Sequence, residues 1–160
     1  MHSSFAEQAV YFYVKQIFLS AQNKYTDVFD NQMELDIYIP ELNMGIEYDG
    51  AYWHSETALK RNRKKYEILK QKGIKLIRIK ENYRRCPVCD GDCDHSIYRE
   101  KENDDGLKTV IIELFQILSK TANIDIDVNR DRPEIKSKYI VSIKEKSLQA
   151  KYTKLTCCAS

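Results

Sequence analysis

The chain has 160 residues, 42% of them hydrophobic, and a formal net charge of +2. Such a length and composition fit a folded domain with a real core and exclude a disordered polyelectrolyte. No apolar run approaches the roughly 20 residues that a membrane span needs, so no membrane partner is expected. The first residues lack a charged leader with an apolar segment, and the cysteines cluster instead of spreading as a disulfide scaffold, which points to the cytoplasm.

Ser4 and Glu7 have the spacing of a capping box. They open a helix expected to run to about residue 19, with Ala9, Val10, Tyr13, Val14, Ile17 and Phe18 at helical spacing. A short strand is expected at 25–29. In 33–39, Met33, Leu35, Ile37 and Ile39 alternate with Glu34, Asp36 and Tyr38, the period of a half-buried strand. Met44, Ile46 and Tyr48 alternate with Gly45, Glu47 and Asp49 in a second strand, and residues 40–43 form the loop between them. Ser55 caps a second helix that ends at Gly73; 74–79 reads as an interior strand with apolar residues on both faces. A Cys-bearing loop, a short strand at 96–99 and an amphipathic helix carrying Leu107, Val110, Ile111, Leu114, Phe115 and Leu118 follow. The order predicts an α/β domain over 1–123, a mixed sheet covered by helices, with a basic helical appendage or linker over 124–160.

Chemistry concentrates in the hairpin. If Ile39 pairs with Met44, Asp36 opposes Glu47 and Glu34 opposes Asp49, which sets like charges about 5 Å apart on one face. No Lys or Arg interleaves with these acids in either strand, so a cation is expected between them. Asp36 and Glu47, with the backbone carbonyl of Tyr48, would suit Mg²⁺ or Mn²⁺. The plainer alternative is an acidic solvent-facing sheet. Glu7 could reach the same cluster, or serve only as a helix cap. His54 follows the second strand closely and could act as a general acid or base, or be structural. Trp53 could stack on a base or lie in the core.

The run 60–65 carries five cations: Lys60, Arg61, Arg63, Lys64 and Lys65. On a helix such a run is usually a solvated face, but beside an acidic pocket it suits phosphate contact. From 130 to 154 there are eight Lys or Arg against three Asp or Glu. Cys86, Cys89, Cys93 and His95 are spaced to hold one structural Zn²⁺, or form a loop without metal. Cys157 and Cys158 look incidental.

At Glu7, Asp36, Glu47-Tyr48-Asp49-Gly50 and Trp53-His54 the sequence resembles the PD-(D/E)XK nuclease superfamily, in a branch with the very-short-patch-repair and EDxHD homing endonucleases. The helix after His54 and the strand after Gly73 also fit, so the resemblance spans about residues 3–120. It implies a restriction-endonuclease-like three-layer α/β/α sandwich and Mg²⁺-dependent cleavage of DNA. Glu7, Asp36, Glu47, Asp49 and His54 would be the catalytic set, and a homodimer is implied if both strands are cut. Two departures stand out: Asp49 occupies the usual Lys position, and Asn62 stands where relatives place a last acid or His. A nuclease-fold DNA-binding module without activity, and a zinc-organised interaction protein, are the alternatives.

Overall fold

In the computed structural model, which describes residues 4–30, 32–50, 55–81 and 91–126, Ser4 caps helix α1 (Phe5–Ile17). Its Oγ accepts the Glu7 N–H at 3.1 Å, satisfying one of the donors that a helix start leaves free. Strand β1 (Gln22–Tyr25) lies earlier than the strand expected at 25–29. There the Phe29 N–H closes a turn onto Thr26 O at 2.9 Å, which drops Val28 and Phe29 into the core.

Strand β2 (Leu35–Ile39) and strand β3 (Met44–Asp49) form the expected hairpin, in the expected register of Ile39 with Met44 and Ile37 with Ile46. A 3₁₀ turn at Pro40–Leu42 joins them and ends on Asn43, which takes the left-handed conformation at φ 48°. Pro fits the first position of that turn because its φ is already fixed, and Asn tolerates the last. Helix α2 (Glu56–Gln71) is capped by Ser55 and followed by Gly73 at φ +70°, a conformation open to glycine for want of a Cβ. Strands β4 (Lys75–Glu81) and β5 (His95–Arg99) and helix α3 (Asp104–Ala122), capped by Asn103, complete the elements.

The fold is α/β: three helices and an open five-strand sheet in the order β1-β2-β3-β4-β5. Pairing is antiparallel from β1 to β3 and parallel from β3 to β5, so the sheet is mixed and β4 is interior. From α2, Leu69 packs in a buried cluster with Val28, Phe29, Met33, Leu35, Ile74 and Leu76. In α1, Tyr13 meets Phe115 of α3 edge to face at 6.3 Å.

Strict alternation placed Met33, Leu35, Ile37 and Ile39 on one face; the structure breaks it. The methyls of Leu35 lie 3.0 Å from where a Cβ on Gly45 would stand, whereas Ile37 opposes Ile46 on the neighbouring position. A side chain at residue 45 would crowd the methyls of Leu35. The slip coincides with Lys24, which lies between the Asn23–Ile37 and Tyr25–Leu35 pairs and has φ +56°.

The chain divides into two units, Met1–Ile124 and Asp125–Ser160, and every element above belongs to the first. The basic appendage expected over 124–160 lies outside the described residues from 127 onward. None of the described helices is long and apolar enough to cross a membrane.

Candidate active site

The ladder between β2 and β3 runs only from Ile39–Met44 to Ile37–Ile46. Beyond it, two acidic side chains occupy the places of backbone partners. The Asp36 N–H donates to Glu47 Oε1 at 3.3 Å, and the Tyr48 N–H donates to Asp36 Oδ2 at 2.8 Å. The two carboxylates are therefore anchored side by side at the point where the hairpin opens, Glu47 by the Asp36 N–H and Asp36 by the Tyr48 N–H. Glu7, from the first turn of α1, reaches the same place and is 8% exposed.

No cation interleaves with the acids within the two strands, but three neighbouring elements supply them. From β1, Lys24 Nζ lies 3.0 Å from Glu7 Oε1, 3.3 Å from Glu34 Oε1 and 3.6 Å from Asp36 Oδ1. From α2, Lys65 Nζ donates to Glu47 Oε2 and to the Glu34 carbonyl, both at 2.8 Å. From β4, Arg78 Nη1 donates to both oxygens of Asp49 at 3.0 Å and lies 3.9 Å from Glu47 Oε2. The four hairpin acids thus divide. Glu34 and Asp36 turn to Lys24, while Glu47 and Asp49 turn to Lys65 and Arg78.

Arg78 is wholly buried and continues inward. Its Nε lies 3.4 Å from Asp92 Oδ2 and donates to the Asp92 carbonyl at 3.2 Å, while Lys80 Nζ meets Asp92 Oδ1 at 3.0 Å. Arg78 Nη2 also donates to the carbonyl of Asn62 at 3.4 Å, which ties α2 to the strand beneath it. Burying ions costs several kcal/mol each unless they are paired and hydrogen-bonded, and here each buried charge has a partner. At the far end of β3 the Tyr48 hydroxyl donates to Glu81 Oε1 at 2.7 Å and accepts from Arg99 Nη1 at 3.0 Å.

These surroundings shift two groups of opposite sign. Burial, then the negative charges of Glu47 and Glu7, push the Asp36 carboxyl up to about 8, against the opposing pull of the Tyr48 N–H and Lys65. Burial pulls the Lys24 ammonium down, but Glu7, Asp36 and Glu34 outweigh it, and its pKa ends above the ordinary lysine value.

The remaining candidates distribute as follows. In the basic run, Lys60, Arg61, Arg63 and Lys64 are exposed, Lys60 with an ion pair to Glu56 at 2.9 Å, and only Lys65 turns inward. Trp53, His54, Cys86 and Cys89 lie outside the described residues. Cys93 is half-buried with its Sγ 3.2 Å from Ser96 Oγ, burial raising its pKa, and His95 at the start of β5 is exposed. Sequence reasoning missed Lys24, Arg78, Lys80 and Asp92. Arg78 did leave a signal: a cation between Ile77 and Ile79 in a strand apolar on both faces needs a buried acid beside it.

The donors at the split hairpin are hard carboxylate oxygens in a partly desolvated pocket, which suits a hard dication. One detail agrees with that chemistry: burial, then the charges of Glu47 and Glu7, oppose ionisation of Asp36. Among the described residues, however, no three His, Cys, Asp or Glu side chains stand close enough together to grip a metal as they are. No family model, curated protein or solved structure matches the chain.

Proposed function

We propose that the chain is a metal-dependent DNA endonuclease, its α/β fold completed as a three-layer sandwich of the restriction-endonuclease type. One observation carries this reading. Asp36 and Glu47 meet where β2 and β3 part, with Glu7 arriving from α1 and Lys65 from α2. Pockets that gather several buried carboxylates against their mutual repulsion are disproportionately functional.

In this reading Asp36 and Glu47 hold Mg²⁺ or Mn²⁺. A bound dication supplies charge stabilisation at the phosphate and lowers the pKa of a bound water. Lys65 fixes the orientation of Glu47, and Arg78 fixes that of Asp49. The exposed cations of α2 (Lys60, Arg61, Arg63 and Lys64) contact backbone phosphates, a sequence-independent and salt-sensitive attraction. His54, by the resemblance described above, moves a proton at the attacking water or the leaving oxygen.

A second reading has its own support. Lys24 and Arg78 already compensate the acids, and Asn62 gives its carbonyl to Arg78 where relatives carry a last acid or His. On that basis the chain is a DNA-binding module without cleavage. Incubation with supercoiled plasmid in Mg²⁺ or EDTA, alongside a gel-shift assay, separates the two. Nicked or linear plasmid in Mg²⁺ alone supports the nuclease. A shift in EDTA with intact supercoils in both buffers supports the binding module, and intact plasmid with no shift contradicts both.

A further inference from the structure

Asp92 reaches the site from the segment that leads into β5, and nothing in the reaction described above uses it. That segment is fixed at Asp94. The Asp94 carboxylate accepts the Leu76 N–H at 2.7 Å and the Tyr66 hydroxyl at 3.2 Å, and the Asp94 N–H donates to the Leu76 carbonyl at 2.9 Å. Two residues earlier, Asp92 is buried and meets Arg78 twice. Its main-chain carbonyl accepts from Arg78 Nε at 3.2 Å, and its Oδ2 lies 3.4 Å from the same nitrogen. Its Oδ1 takes Lys80 Nζ at 3.0 Å.

A guanidinium is planar and carries its N–H donors in a fixed fork. Holding Nε therefore decides where the two outer nitrogens point. In Arg78, Nη1 donates to both Asp49 oxygens at 3.0 Å and lies 3.9 Å from Glu47 Oε2, while Nη2 donates to the Asn62 carbonyl at 3.4 Å. Asp92 thus holds one corner of the fork, and the pocket acids take another. Charge balance alone does not require this arrangement, because a carboxylate anywhere against the guanidinium would supply it. Two contacts from one residue to Nε, on a segment that is itself pinned, fix direction as well as charge.

We propose that Asp92 is a positioning residue for the pocket: by holding Arg78 Nε it aims the guanidinium at Asp49 and Glu47, and so sets where those carboxylates stand. Its effect on reaction rate rests on the endonuclease reading above, to which it adds a residue that acts only through Arg78. A misplacement of about 1 Å at a reacting group can cost about 10²-fold in rate, so a side chain remote from the chemistry governs it through its support.

The test compares two variants of the full chain, each shown to be folded by a melting curve. Asp92→Glu keeps the charge and lengthens the side chain by a methylene, whereas Asp92→Asn keeps the shape and removes the charge. The expected result is plasmid nicking at saturating DNA at least about tenfold slower in D92E than in D92N, with KM alike within about twofold. Equal rates, or D92E the faster, would show that Asp92 supplies charge alone and would overturn positioning. If wild type does not nick plasmid, the endonuclease reading falls and the Asp49 carboxyl-carbon NMR resonance decides instead. Positioning moves that resonance further from its wild-type place in D92E than in D92N, and the opposite order overturns it. Should either variant fail to fold, wild type carries the test. A guanidinium held at Nε gives separate NMR signals for the Nη protons of Arg78, and signals averaged by rotation overturn positioning.

Discussion

Replacing Arg78 with methionine is expected to lower the free energy of unfolding by about 3–5 kcal/mol, read from urea denaturation in EDTA. Methionine fills much of the same volume, so the loss comes from charge and hydrogen bonding and not from a cavity. It removes both hydrogen bonds to Asp49, the contact to Asp92 and the bond to the Asn62 carbonyl in one step. Asp92 keeps Lys80 and Glu47 keeps Lys65, but Asp49 is left without its guanidinium partner. An R78M/D49N double variant should therefore recover part of the loss. Arg78→Lys should fall between, because one ammonium cannot reach Asp49, Asp92 and Asn62 together as a planar fork does. A loss below about 1 kcal/mol for R78M would mean that the buried acids find other compensation.

Asp36→Asn is expected to reduce Mg²⁺-dependent plasmid nicking by at least about 10³-fold, since a catalytic metal contributes several kcal/mol at the transition state. The same change should leave the fold intact and make it less sensitive to pH. The Asp36 carboxyl sits at about 8 in the folded state, above the ordinary value near 4 expected unfolded. Between those values the folded chain holds a proton that the unfolded chain has released. This group's contribution to stability thus falls as pH rises from about 4 to 8, by at most about 1.4 kcal/mol per unit, and is level above. Asparagine has no proton to lose, so metal-free D36N should lack that slope and gain on wild type toward pH 8. Activity lost while stability is kept or raised is the mark of a residue retained for function. Nicking by D36N at the wild-type rate would remove Asp36 from the catalytic set.

Much of the frame was legible because its signals are local. The hairpin register followed from two alternating runs and from Pro40 and Asn43 between them. Helix α2 announced both ends, with Ser55 before it and Gly73 after it. Even the inward turn of Lys65 was available, since it lies four residues before Leu69, which is fully buried on the same helical face. The compensation of the acids was not legible, because it depends on residues brought in from other elements. Arg78 comes to lie beside Glu47 only when β4 returns parallel to β3 after the α2 crossover. Lys24 points into the pocket from a strand whose position was misjudged, through a left-handed residue that no lysine advertises. The slip that takes Leu35 to the α2 side has the same origin, since alternation assumes an unbroken strand.

The central claim is that the carboxylates at the opening of the β2–β3 hairpin take a dication, and Mn²⁺ located by its anomalous scattering in crystals of the protein tests it most directly. The account predicts one peak within coordination distance of both Asp36 and Glu47. Crystals at saturating Mn²⁺ with no peak there would contradict it.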